Sequence, residues 1–80
     1  MKRYAIVIYK ASGNYSAHVL DADGCIATGR TVKETASNIR DALEFHLEAM
    51  ADDGEAIPEP TAVVEYVEVN ISEPAKRKAG

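Results

Sequence analysis

Five side chains hold most of the reactive chemistry in this 80-residue sequence: His18, His46, Cys25 and the pair Asp21 and Asp23. Imidazoles and a thiol are the groups of a zinc site or a nucleophilic centre, where ligands or base stand at characteristic spacings. His18, Cys25 and His46 match no such spacing. Asp21-Ala22-Asp23 sets two carboxylates in one turn, but a calcium loop needs several more oxygens at fixed intervals, and they are missing. The ordinary roles are therefore expected: packing or hydrogen bonding for the two histidines, a small apolar core residue for Cys25, and turn formation for the aspartates. The sequence predicts no catalytic residue, no metal ligand set and no cofactor.

The chain that must position these groups is short. Eighty residues make one domain whose margin of stability is thin, so help from a second copy or a partner is expected. A composition of 46% hydrophobic and 28% charged residues suits a folded chain. The opening MKRYAIVIYK puts two basic residues before an apolar run, but Tyr9 and Lys10 end that run too soon for a signal peptide or membrane span. The expected location is the cytoplasm. Cys25 has no second cysteine to pair with, which agrees with a reducing compartment.

Charge is unevenly distributed. Residues 1–30 carry a net +2 and residues 31–60 a net −6, with eight acids against Lys33 and Arg40. An acidic middle disfavours nucleic acid and suits a basic protein partner, although a merely solvated helix face has the same composition. The basic cluster Lys76-Arg77-Lys78 lies in a segment, 73–80, expected to be a flexible tail rather than a phosphate site.

Periodicity predicts the elements. RYAIVIY (residues 3–9) is β-branched and aromatic, with Tyr4, Ile6 and Ile8 on one face and Ala5, Val7 and Tyr9 on the other, so both faces need cover. Ser12-Gly13-Asn14 supplies a hairpin turn, YSAHVL (15–20) returns, LDADG turns again, and CIATG (25–29) is a third strand. Thr31-Val-Lys-Glu34 is a capping box, preceded by a strand-to-helix corner at Gly29. A helix then runs from about Val32 to about Asp52, with Val32, Ala36, Ile39, Leu43, Leu47 and Met50 on its apolar side. Gly54 ends it, and Ile57-Pro-Glu-Pro60 forms an extended connector. AVVEYVEVNI (62–71) is a last strand, reached by a crossover through the helix. The predicted class is α+β, in the order β-β-β-α-β, with one helix packed on a four-stranded sheet.

Opposite the apolar stripe the helix carries Glu34, Asp41, Glu44, Glu48 and Asp52, and Phe45 falls away from the stripe beside Asp41 and Glu44. An aromatic framed by acids reads as a protein contact point, although single exposed aromatics also occur on ordinary surfaces. The predicted partner-binding set is Asp41, Glu44, Phe45, Glu48 and Asp52.

The element order is similar to the first half of ribonuclease H, but the first strand has no acid for a two-metal centre, so a nuclease is not expected. A second resemblance rests on residues in order: Leu20-Asp-Ala-Asp-Gly-Cys25, Gly29-Arg30-Thr31, Thr31-Val-Lys-Glu-Thr-Ala36, Asn38-Ile-Arg-Asp-Ala42 and Ile57-Pro-Glu-Pro60. Over residues 3 to about 70 this pattern resembles the small HicB-like antitoxins. The chain departs from them in lacking both prolines of their usual Pro-Asp-Leu-Pro-Gly-Cys turn, and in having Arg30 where an acid usually precedes Thr31.

The resemblance implies a partly degraded ribonuclease H-like domain over residues 1–72 that is not an enzyme. It also implies that the protein binds and blocks HicA, a small basic ribonuclease toxin of bacteria and archaea. Many such antitoxins carry a DNA-binding segment after the last strand; the few residues following Ile71 fit none, so direct nucleic-acid binding is not expected. A homodimer or higher oligomer is expected, because one helix covers only one face of the sheet. The alternative is a solitary oligomeric scaffold or small-ligand-binding protein with no toxin.

Overall fold

The computed structural model describes residues 1–72; the expected basic tail, 73–80, lies outside the described residues. Three strands, β1 (Ile6–Ala11), β2 (Asn14–Val19) and β3 (Ile26–Gly29), form an antiparallel meander, followed by helix α1 (Val32–Asp52). Ala11 pairs with Asn14, so Ser12 and Gly13 alone make the hairpin loop. The register Ile6↔Val19, Ile8↔Ala17 and Ala17↔Ala27 stacks one apolar row across the sheet. That row faces α1.

The core under the helix consists of Ala17, Val19, Ala22, Cys25, Ile39 and Leu43, with Tyr4, Ile6, Ile8 and Leu47 packed around it. The predicted stripe is met at Ile39 and Leu43, while Val32 at the helix start is 51% exposed. Thr35 is the residue the hydropathy pattern passes over: it is fully buried, and its hydroxyl donates to the Thr31 carbonyl at 2.7 Å. Both ends of α1 are closed, the start with one difference from the expected box: the Glu34 carboxylate reaches the amide of Arg30 rather than that of Thr31. The Glu34 amide donates to Thr31 Oγ1 at 3.0 Å, and Glu34 Oε1 accepts from the Arg30 amide, one residue before the cap, at 2.9 Å. At the other end the Gly54 amide donates to the Ala51 carbonyl and the Glu55 amide to that of Met50, a Schellman closure with Gly54 at φ 75°.

Gly29 departs from its expected reason. Its φ is not positive; a Cβ there would lie 2.5 Å from Thr35 Oγ1 and 2.8 Å from the Thr35 amide nitrogen. The corner needs glycine because the first turn of the helix presses against the end of β3.

The expected four-stranded sheet is corrected to three strands among the described residues. Residues 55–72 run on without a helix, strand or bend, so the segment predicted as the last strand, 62–71, joins no ladder. A strand is stable only when its amides and carbonyls meet those of a neighbour, and among the described residues this segment meets none. It leaves the body as an arm, and the longest dimension of the molecule is 58 Å against 28 and 21 Å for the others.

Candidate functional site

The helix brings four acids together on one side. Asp41, Glu44, Glu48 and Asp52, spaced three and four residues apart, share the exposed outer face of α1, and Phe45 stands at its edge, 75% exposed. Neutralising contacts there are sparse: Arg40 Nε lies 3.9 Å from Asp41 Oδ1, and both side chains are 69% exposed, so the pair contributes little. The last turn has no basic residue. Asp52 and Asp53 therefore stand at the helix end where the macrodipole already places partial negative charge, a placement that costs helix stability some tenths of a kcal/mol. The acids work against helix stability at this end and together make a patch of negative potential.

Phe45 borders a small hollow of about 210 Å³ formed with Gly24, Cys25, Ile26, Ala42 and Ala49. Ile26, 63% exposed, gives the acidic face an apolar flank. It alternates onto the outer face of β3, a two-residue periodicity that marks it as non-core, but its proximity to Phe45 depends on the β3–α1 packing.

The reactive groups are dispersed. His18 stacks on Tyr9 on the outer face of the sheet, ring centroids 5.8 Å apart, whereas His46 is half-buried on α1 in a hollow with Leu20, Asp21, Met50 and Pro58. Cys25 is buried, and desolvation pushes its thiol pKa up, away from the reactive thiolate. Asp23 is exposed in its turn, whereas the Asp21 carboxylate also reaches a distant segment, accepting from the Ala62 amide at 3.0 Å and the Thr61 hydroxyl at 3.4 Å. Among the described residues no three metal-ligating side chains cluster.

Two apolar surfaces have no cover among the described residues. The outer sheet face shows Tyr9 and Ile26, with Leu20 at its border. Between β1 and α1 a groove of about 640 Å³ is lined by Tyr4, Ile6, Ile39, Leu43 and Leu47, with Arg40 and Glu44 at its rim. The sequence pattern marks those apolar residues as core, but gives no sign that the helix packs mainly over β2 and β3 and leaves the β1 side open. No helix among the described residues is long and apolar enough to cross a membrane.

The family described as HicB_like antitoxin of bacterial toxin-antitoxin system matches residues 4–75. A 14.9 kDa protein of Haemophilus phage HP1, from its rep-hol intergenic region, is 34% identical over 64 residues, 80% of this chain and 48% of the phage protein. The chain thus aligns with about half the length of that relative. A UPF0150 protein of Thermoplasma acidophilum is 33% identical over 61 residues, 75% of this chain and 88% of the archaeal one. Among solved structures, a chain of the HicA3 and HicB3 toxin-antitoxin complex superposes with a TM-score of 0.65 at 30% identity, covering 75% of this chain and 70% of that one.

Proposed function

The chain belongs to the HicB-like antitoxin family, and from that premise we propose that it is a non-enzymatic antitoxin that neutralises a small basic HicA-like, mRNA-cleaving toxin by direct contact. One observation carries the contact: the face of α1 formed by Asp41, Glu44, Glu48 and Asp52, left without cations in the last turn and bordered by exposed Phe45. A ribonuclease that attracts RNA must present positive charge, and a helix studded with carboxylates offers a rigid substitute for phosphates. Long-range attraction steers the encounter, and the Phe45 ring supplies the desolvated anchor that charge alone does not. The place of action is the cytoplasm, where mRNA is cleaved. The working unit is a homodimer or higher oligomer, a reading supported by the uncovered outer face of the sheet.

The test is co-purification with a HicA-like basic toxin at low and high salt. The expected result is a stable complex, weakened at least about tenfold by Glu44→Lys plus Glu48→Lys, each reversal placing like charges across the contact. No complex, or one indifferent to the reversals, overturns contact through this face. The absence of any complex returns the function to a solitary oligomeric scaffold or ligand binder.

A further inference from the structure

The arm formed by residues 62–71 combines features that are costly in an isolated chain. Six of its side chains, Val63, Val64, Tyr66, Val67, Val69 and Ile71, are between 49% and 94% exposed. Among the described residues, none of the backbone bonds outside the helix and strands holds residues 63–71. At about 3.3 Å per residue, ten residues span roughly 33 Å, ample to line a six-residue strand. β-branched and aromatic residues with apolar positions on both sides are the composition of a strand covered on both faces, not of a solvated tail.

The same chain carries a matching vacancy. β1 is an edge of the sheet, its outer row of amides and carbonyls without a neighbouring strand among the described residues. Beside that edge runs the open groove between β1 and α1, lined by Tyr4, Ile6, Ile39, Leu43 and Leu47. A strand laid on β1 would satisfy the edge and send alternate side chains into the groove.

We propose that the arm of one chain adds as the fourth strand to the β1 edge of a second copy, and that the second copy returns its own arm, in an exchanged dimer. The direction of the arm argues for exchange over closure onto its own β1. Its root is fixed at three points: Lys2 Nζ to Glu59 at 3.0 Å, the Tyr4 hydroxyl to the Pro58 carbonyl at 2.6 Å, and Asp21 to the Ala62 amide at 3.0 Å. Pro58 and Pro60 stiffen the connector between them; Val63 and Val64 still border a hollow with Arg3, Tyr4, Ala5 and Ile6, and beyond Val64 the chain continues without a bend, its side chains exposed. Donor and acceptor stand in one chain but apart, and a two-fold axis satisfies both at once and closes the assembly. Each sheet then has four strands in the β-β-β-α-β order, a partly degraded ribonuclease H-like domain completed in trans. The inference deepens the oligomeric reading above by placing the contact at the β1 edge rather than on the outer face of the sheet, and is independent of the toxin.

The experiment is light scattering with amide hydrogen exchange on the full chain, on Val67→Pro, and on Tyr9→Lys at the outer sheet face. A dimer is expected at micromolar concentration, with amides 63–71 protected. Proline removes a ladder donor in the middle of the arm, so Val67→Pro should raise the dimer Kd by roughly 100-fold or more while helix circular dichroism is unchanged. Tyr9→Lys should leave the dimer intact. A monomeric wild type with protected arm amides would show the arm folded on its own chain and overturn exchange. A dimer indifferent to Val67→Pro but lost with Tyr9→Lys would assign the interface to the outer face, also overturning it. Co-purification reports the toxin contact separately, so either reading can fail alone.

Discussion

At Gly29 a single missing methyl decides how closely strand and helix approach. The first turn of α1 lies against the end of β3, with the Thr35 hydroxyl where a Cβ on residue 29 would stand. Gly29→Ala meets backbone as well as a side chain, so a rotamer change cannot relieve it, and we expect a loss of about 1–3 kcal/mol in urea unfolding. A substitution without cost would show that the corner yields. Cys25 behaves in the opposite way to a reactive thiol. Burial raises its pKa above 9.0, so both states keep the proton below that pH, and above it the unfolded chain ionises first. Stability therefore falls as pH rises past 9.0, and Cys25→Ser removes that part of the alkaline slope. Labelling of the thiol in the native protein should be at least about tenfold slower than in urea.

For the helix, capping outweighs charge. The Thr31 hydroxyl and the Glu34 carboxylate satisfy two amides at its start, and Gly54 closes its end, while the acids toward the C-terminus oppose the dipole. Thr31→Ala is expected to cost about 1 kcal/mol, read as a lower melting temperature. Ile39→Ala, at a side chain only 1% exposed, should cost about 2–5 kcal/mol, a large share of the stability of so small a domain. The helix limits, Val32 and Asp52, follow from the sequence because capping box, stripe and Gly54 agree. The strands are less sharply marked. β1 occupies Ile6–Ala11 where apolar character suggests residues 3–9, because pairing with β2 across the Ser12-Gly13 loop sets the register and outweighs propensity.

Over the whole molecule, charge and apolar surface are separated. The acidic face lies on the outside of α1, the open groove beside β1, and the apolar arm beyond both. A contact made by the acids is salt-sensitive, so affinity for a basic toxin is expected to fall severalfold between low and physiological ionic strength. Dimerisation through the arm is chiefly apolar and backbone-bonded, and is expected to survive the same change. Two salt titrations, one of toxin binding and one of the dimer, separate the surfaces; a dimer that dissociates as steeply as the toxin complex would contradict the assignment.

The local order of elements was legible from the sequence because each signal is carried by residues close in the chain: the Ser12-Gly13 turn, the Thr31–Glu34 box, the 3.6-residue stripe and the Gly54 stop. The exposed side of α1 was legible for the same reason: a helix fixes which residues share a face. Tertiary structure decided what depends on contacts between distant segments. It set Gly29 against Thr35, used Asp21 to hold the root of the arm, brought Ile26 near Phe45, and left the outer edge of β1 and residues 62–71 unpaired among the described residues. A strand pattern states that a segment can pair but not with which edge, since amides and carbonyls are the same at every edge and only position in space selects among them.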